Sequence, residues 1–143
     1  MMTLDLTRSS DWTGVRATVA GVGIAGFAAA EALLQLGARV TAIDASDGPR
    51  QRERGQVLEV LGATVVLGDG DSLPMGTELL VVSPGLPPRA PVIRAAQEAG
   101  IPVWGELELA WRLRPEDAAP WLVVTGTNGK TTTTLMLESI LRA

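Results

Sequence analysis

Hydrophobic positions in this chain fall into short blocks separated by longer amphipathic or polar stretches. Residues 16–20, 39–43, 64–67, 79–82 and 101–104 are brief, largely apolar runs with several β-branched residues. Runs of that length and composition predict strands, and those apolar throughout predict strands covered on both faces. The stretches between them carry helix punctuation. One helix is predicted from Ile24 to Leu36 and stopped by Gly37, and another ends near Leu61 before Gly62. A third runs from Pro91 to Ala99, with proline at its start and Gly100 past its end, the asymmetry expected of helix termini. A fourth opens at Gly105, with Glu106 and Glu108 in a first turn whose dipole favours acids. Strands alternating with helices predict an α/β chain. From about Arg16 to Arg112 it should form an open parallel sheet of about five strands with helices on both faces.

The most informative stretch is Thr18 to Asp44. It reads strand, glycine loop, helix, turn, strand, with Gly21-Val22-Gly23-Ile24-Ala25-Gly26 matching G-x-G-x-x-G and Asp44 closing the second strand. In such a unit the first glycine permits a tight turn, the second lets backbone approach a diphosphate, and the third lets helix pack on strand. The free N–H groups of the helix start then face an anion. This context predicts a Rossmann-like nucleotide- or diphosphate-binding unit. Asp44 could hold a ribose hydroxyl, as in an NAD site, or polar groups of another nucleotide. The turn Ser83-Pro84-Gly85-Leu86-Pro87-Pro88 follows another buried strand. It therefore falls at the carboxyl edge of the sheet, where ligands of open α/β sheets are met. Asp69 and Asp71, in a Gly-rich turn, read as solvated acids rather than metal ligands.

Composition narrows the chemistry. The 143 residues suit one domain or slightly more, and a net charge of −4 argues against a nucleic-acid partner. The chain has no cysteine and no histidine, which removes disulfides, thiolate or imidazole metal sites and histidine-based triads from it. The start, MMTLDLTRSSDW, lacks a basic region followed by an apolar one, and no apolar run reaches the ~18 residues of a membrane span. No membrane partner and a cytoplasmic location are expected. Residues 1–14 read as a polar lead-in with Trp12 as its anchor.

Of twelve basic residues, Lys130 is the only lysine. It stands in Gly126-Thr127-Asn128-Gly129-Lys130-Thr131-Thr132, between an apolar run, Trp121 to Thr125, and a helix to the chain end. That setting predicts a strand, a phosphate-binding loop and a helix. Backbone N–H groups would cradle phosphates, Lys130 would reach the terminal ones and the Thr131 hydroxyl would ligate Mg²⁺. The polar, proline-bracketed segment Arg114 to Pro120 reads as a boundary. The expected division is a Rossmann-like domain over 1–114, then a linker and the first strand, loop and helix of a second domain over 115–143.

TGTNGKTTT resembles the ATP loop of the Mur ligases and the related folylpolyglutamate synthases. GVGIAG, the strand-end Asp44, VVSPGLP and GELELAW occur in the order found in the D-glutamate-adding members of the Mur ligase family. The resemblance runs from about Val15 to the chain end, and it implies a reaction. ATP would phosphorylate the carboxylate of UDP-N-acetylmuramoyl-L-alanine, releasing ADP. The amine of D-glutamate would then displace phosphate and form the peptide bond. Gly23, Ile24 and Ala25 would meet the UDP diphosphate, Asp44 the uracil end, and Ser83, Pro84 and Gly85 would line the same site. Gly126 to Thr132 would hold ATP, with Lys130 and Thr131 as catalytic groups and Thr131 on Mg²⁺. Ala25 stands where a hydroxyl residue is common, and Ala45-Ser46 where Thr-Arg is found, so backbone contacts at Ile24 and Ala25 are the ones expected. The resemblance further implies an amino-terminal part of a three-domain enzyme, monomeric at full length and engaged in peptidoglycan precursor synthesis, with this part alone inactive. The alternatives are the cofactor domain of an NAD-dependent dehydrogenase, which leaves the Lys130 loop unexplained, and a non-catalytic nucleotide-binding module.

Overall fold

The computed structural model describes residues 5–143; the first four residues of the polar lead-in lie outside the described residues. The elements follow as β1 (Arg16–Ala20), α1 (Ile24–Gln35), β2 (Arg39–Asp44), α2 (Pro49–Val60), β3 (Thr64–Leu67), β4 (Leu79–Val82), α3 (Pro91–Glu98), β5 (Val103–Gly105), α4 (Glu106–Arg112) and α5 (Lys130–Leu141). The five strands make one sheet in the order β3-β2-β1-β4-β5, and each pairing is parallel. This is the predicted sheet, with β5 lying two residues later than the apolar run suggested.

Alternation along the strands sorts the core into two layers. Ala17, Val19, Val40, Ala42, Leu79 and Val81 face one side, where they pack with Ala29, Ala30 and Leu33 of α1, Leu58 of α2 and Leu109 of α4. Ala20, Ile43 and Leu80 face the other side and pack with Val92, Ile93 and Ala96 of α3. The buried face of α1 is Gly26, Ala29, Ala30 and Leu33, a helical stripe of small residues that lets the helix lie close on the sheet. Helices α1, α2 and α3 end alike. Gly37, Gly62 and Gly100 take positive φ. Ala38, Ala63 and Ile101 then donate back to Leu33, Leu58 and Ala96. These paired bonds satisfy the last carbonyls and turn the chain into the next strand or its approach.

Trp12 anchors the lead-in as expected. Its indole Nε1 donates to the Thr7 carbonyl at 2.9 Å, and its ring meets Trp104 edge-on at 6.3 Å.

One prediction fails. Residues 121–125 form no strand; Leu122 and Val123 are exposed and pair with no neighbour among the described residues. An apolar run becomes a strand only where another strand accepts its N–H and C=O groups, and the five-stranded sheet stops at β5. The loop helix α5 does form, but none of its residues is buried. The segment touches the rest of the chain through Trp121, whose ring meets Trp111 edge-on at 5.3 Å.

Candidate functional site

The strand order places β1 between β2 and β4, so the chain leaves β1 on one side and returns on the other. The carboxyl ends of these three strands therefore bound a crevice at the reversal point, where open α/β sheets hold ligands. Gly21 follows β1, Asp44 ends β2 and Ser83 follows β4.

Asp44 and Ser83 clasp the glycine loop. Asp44 Oδ2 accepts the Val22 N–H at 2.7 Å, and its Oδ1 accepts the Ser46 N–H at 2.8 Å. Ser83 Oγ donates to the Gly21 carbonyl at 3.1 Å. A hydroxyl has one proton, so towards a ligand Ser83 Oγ is left as an acceptor. Arg54 of α2 reaches across and donates from Nη1 to the Val22 carbonyl at 3.3 Å. Val22 itself is buried and plugs the loop into the core.

The glycines divide by what surrounds them. A Cβ on Gly26 would stand 1.7 Å from the Gly21 carbonyl oxygen, so close packing of α1 on the loop accounts for that residue. Gly23 is different. It has φ −75°, and a Cβ there would meet nothing within 4 Å. No neighbouring atom demands glycine at 23, beyond the mild preference of a helix N-cap; an approaching ligand would.

No side chain caps α1, and its first turn holds no acid. The N–H groups of Ile24, Ala25 and Gly26 precede the first intrahelical bond, which Phe27 donates to Gly23. They form a positive end that no acid of the helix's own first turn offsets. Ile24 is 80% exposed and sits on this rim.

Beside the loop lies a hollow of about 220 Å³ lined by Gly21, Asp44, Ala45, Gly70, Asp71, Gly85, Leu86, Pro87 and Ala90. Gly70 forms a wall against Ala45, where a Cβ would come within 2.6 Å of the Ala45 nitrogen. Its turn is held by Asp69, whose carboxylate accepts the N–H groups of Asp71 and Ser72 at 3.1 and 3.0 Å. Those bonds, with Ser72 foremost, hold the Asp69 carboxyl below its ordinary value. Three wider hollows, of about 450, 420 and 260 Å³, lie elsewhere, at the linker, at the amino end of the sheet and between α2 and β3. The first includes Arg112, which is already paired with Glu108 and Asp5.

The structure thus gathers Gly23, Ile24, Ala25, Asp44, Ser83 and Gly85 at one edge, with Pro84 exposed beside them. Sequence reasoning missed Gly70, Asp71 and Arg54. The first two follow the end of β3, and that position was the available signal.

The Gly126–Thr132 loop stands apart and lines none of this crevice. Gly126, Thr127, Asn128, Gly129, Lys130, Thr131 and Thr132 are all exposed. Gly129 takes φ 74° at the start of α5, and Lys130 Nζ donates to the Gly126 carbonyl at 2.5 Å. The donor set fits polyphosphate: a lysine, two hydroxyls and an uncapped helix start. It offers Mg²⁺ a hydroxyl ligand at Thr131 but no convergent carboxylates; among the described residues no group of three acids could hold a metal.

Taken together, the sheet order, the glycine loop and the open helix start define a Rossmann-like domain whose first helix begins, uncapped, at the reversal point of the sheet. The chain belongs to the MurD-like branch of the Mur ligases: residues 15–105 match the family described as Mur ligase MurD-like, N-terminal domain. It is 57% identical over 134 residues to the UDP-N-acetylmuramoylalanine–D-glutamate ligase of Streptomyces avermitilis, covering 94% of this chain and 29% of that protein. It is 56% identical to the ligase of that name from Streptomyces coelicolor, with the same shares of each chain covered. With the Frankia casuarinae ligase it shares 53% identity over 97% of this chain and 29% of the relative. The chain therefore spans less than a third of the length of these relatives. Among the described residues, no helix is long and apolar enough to cross a membrane.

Proposed function

We propose that this chain supplies the UDP-substrate-binding part of a ligase that joins D-glutamate to UDP-N-acetylmuramoyl-L-alanine, with ATP hydrolysis, in peptidoglycan precursor synthesis. The observation that carries the reading is the clasped glycine loop, whose helix start is open and whose Gly23 no neighbouring atom requires. The names of relatives more than 50% identical supply the substrate.

In this reading the diphosphate lies against Gly23 and the N–H groups of Ile24 and Ala25. Uracil enters the hollow beside Asp44, Ser83 and Gly85. Asp44 acts chiefly on the loop, because both its oxygens already accept backbone N–H groups. The Lys130 loop is the ATP end: Gly126 to Thr132 would cradle the phosphates, and Lys130 would exchange its bond to Gly126 for one to a phosphate oxygen. When bound, Mg²⁺ would neutralise phosphate charge, with Thr131 as its ligand from this chain. The division at 114/115, a cytoplasmic location and a monomeric full-length enzyme belong to the same proposal.

Calorimetric titration of the chain with UDP, NAD⁺ and ATP in separate experiments tests it. UDP should bind, NAD⁺ should not, and ATP should bind weakly or undetectably. NAD⁺ binding without UDP binding would turn the assignment to a dehydrogenase-type cofactor domain.

A further inference from the structure

Helix α2 carries three arginines, Arg50, Arg52 and Arg54, and the last two are placed differently. Arg52 is exposed and makes a two-pronged ion pair with Asp47, at 2.7 and 2.6 Å. Arg54 is half-buried between α2 and the glycine loop. It has no acidic partner within 4 Å among the described residues, and its one hydrogen bond there goes to the Val22 carbonyl. A guanidinium carries five N–H donors. The rest of them have no protein acceptor among the described residues.

A half-buried cation ordinarily finds a carboxylate, because partial desolvation raises the cost of leaving it alone. Asp44 is near in the chain of contacts: it accepts the Val22 N–H while Arg54 donates to the Val22 C=O. The two side chains grip Val22 from different sides and make no ion pair. Arg54 therefore adds a fixed positive charge one residue before Gly23 and two before the open start of α1. Neither α1 nor α2 carries an acid in its first turn to offset it.

We infer that Arg54 is a phosphate-contacting residue of the glycine-loop site, supplying the side-chain charge for a nucleoside diphosphate that the loop binds by backbone alone. This rests on the UDP-binding reading above. A planar guanidinium is suited to the task because it engages phosphate oxygens in parallel pairs. One donor stays on Val22 and positions the group, while the others turn to the ligand.

The test separates charge from scaffolding. Wild type, Arg54→Ala and Arg54→Lys are each titrated with UDP and with uridine at two salt concentrations. Circular dichroism and thermal unfolding check the fold. Arg54→Ala should weaken UDP by about tenfold or more, the scale of a charged hydrogen bond, and leave uridine within about twofold. Its UDP affinity should also depend less on salt than that of wild type. Arg54→Lys should recover part of the UDP loss. Equal losses for UDP and uridine would make Arg54 a loop prop only and overturn the inference. So would unchanged UDP affinity in a folded Arg54→Ala. If wild type binds no UDP, the UDP-binding reading itself falls, and the assignment of Arg54 falls with it.

Discussion

Asp44 Oδ2 accepts the Val22 N–H at 2.7 Å, tying the end of β2 to the loop that follows β1. The two residues are 22 apart in sequence, yet this bond decides how the glycine loop presents its backbone. Asp44→Ala should cost about 1–3 kcal/mol of stability, because it leaves a partly buried N–H without its charged acceptor. It should also weaken UDP-N-acetylmuramoyl-L-alanine, through loss of loop geometry. Asp44→Asn retains an acceptor oxygen and should fall between. Chemical denaturation and calorimetry on the three proteins check both effects; unchanged affinity in Asp44→Ala would remove the residue from the site.

Gly26 and Gly23 should respond oppositely to one added methyl. At Gly26 the methyl would overlap the Gly21 carbonyl oxygen, so Gly26→Ala should destabilise by about 1–3 kcal/mol or more. At Gly23 the space is open, so Gly23→Ala should cost no more than the ~0.5–1 kcal/mol of a poorer N-cap residue yet lose affinity for UDP. Wild-type UDP binding by Gly23→Ala would show that the diphosphate does not lie there.

Ile24 offers a charge test at the rim. Ile24→Asp places a carboxylate in the first turn of α1, which holds no acid in the native chain. Helix electrostatics favour it, by about 0.3–1 kcal/mol, so stability should hold or rise slightly. UDP binding should drop by more than tenfold through repulsion, while uridine is less affected. Equal affinity of UDP for both proteins would place the phosphates elsewhere.

Acid should act on the hollow through Asp69. Its carboxyl is held below its ordinary 3.8 by the Ser72 and Asp71 bonds. A depressed folded value means that the bonds stabilise the turn fully above about 3.8 and are lost as pH falls through the folded value. Affinity for UDP-N-acetylmuramoyl-L-alanine, whose diphosphate is esterified at both ends and does not titrate there, should therefore be flat from about pH 5 to 8, where no histidine titrates. The Gly70 and Asp71 amide signals should move only in strong acid. An amide transition near pH 6 would contradict this assignment.

The 143 residues alone should not ligate. The Lys130 loop is exposed and its flanking run 121–125 is unpaired. Phosphoryl transfer depends on several groups held in place together. No ADP should be released in the presence of UDP-N-acetylmuramoyl-L-alanine and D-glutamate. Release that requires both substrates and disappears in Lys130→Ala would refute it.

The first half of the domain was legible because its rules are local. The short apolar blocks, the three terminal glycines and the strand-end acid are all periodic or punctuation signals. The run 121–125 misled for the opposite reason. Its composition favours a strand, but strands need partners that composition does not supply. Gly70 and Arg54 were passed over for a related reason. Gly70 matters through its contact with Ala45, 25 residues earlier, and Arg54 looks in sequence like any cation in the charged run RQRER.

Both ring pairs carry a spectroscopic consequence. The chain has four tryptophans and no tyrosine. Trp12 and Trp104 are 1% and 3% exposed, whereas Trp111 and Trp121 are 47% and 42% exposed. Intrinsic fluorescence therefore contains a blue component from the core and a red, quencher-accessible component from the boundary segment. Acrylamide should extinguish the second and spare the first. Detachment of the Lys130 segment would then be visible as a change in the red emission while the blue band still reports a folded sheet, with no label attached.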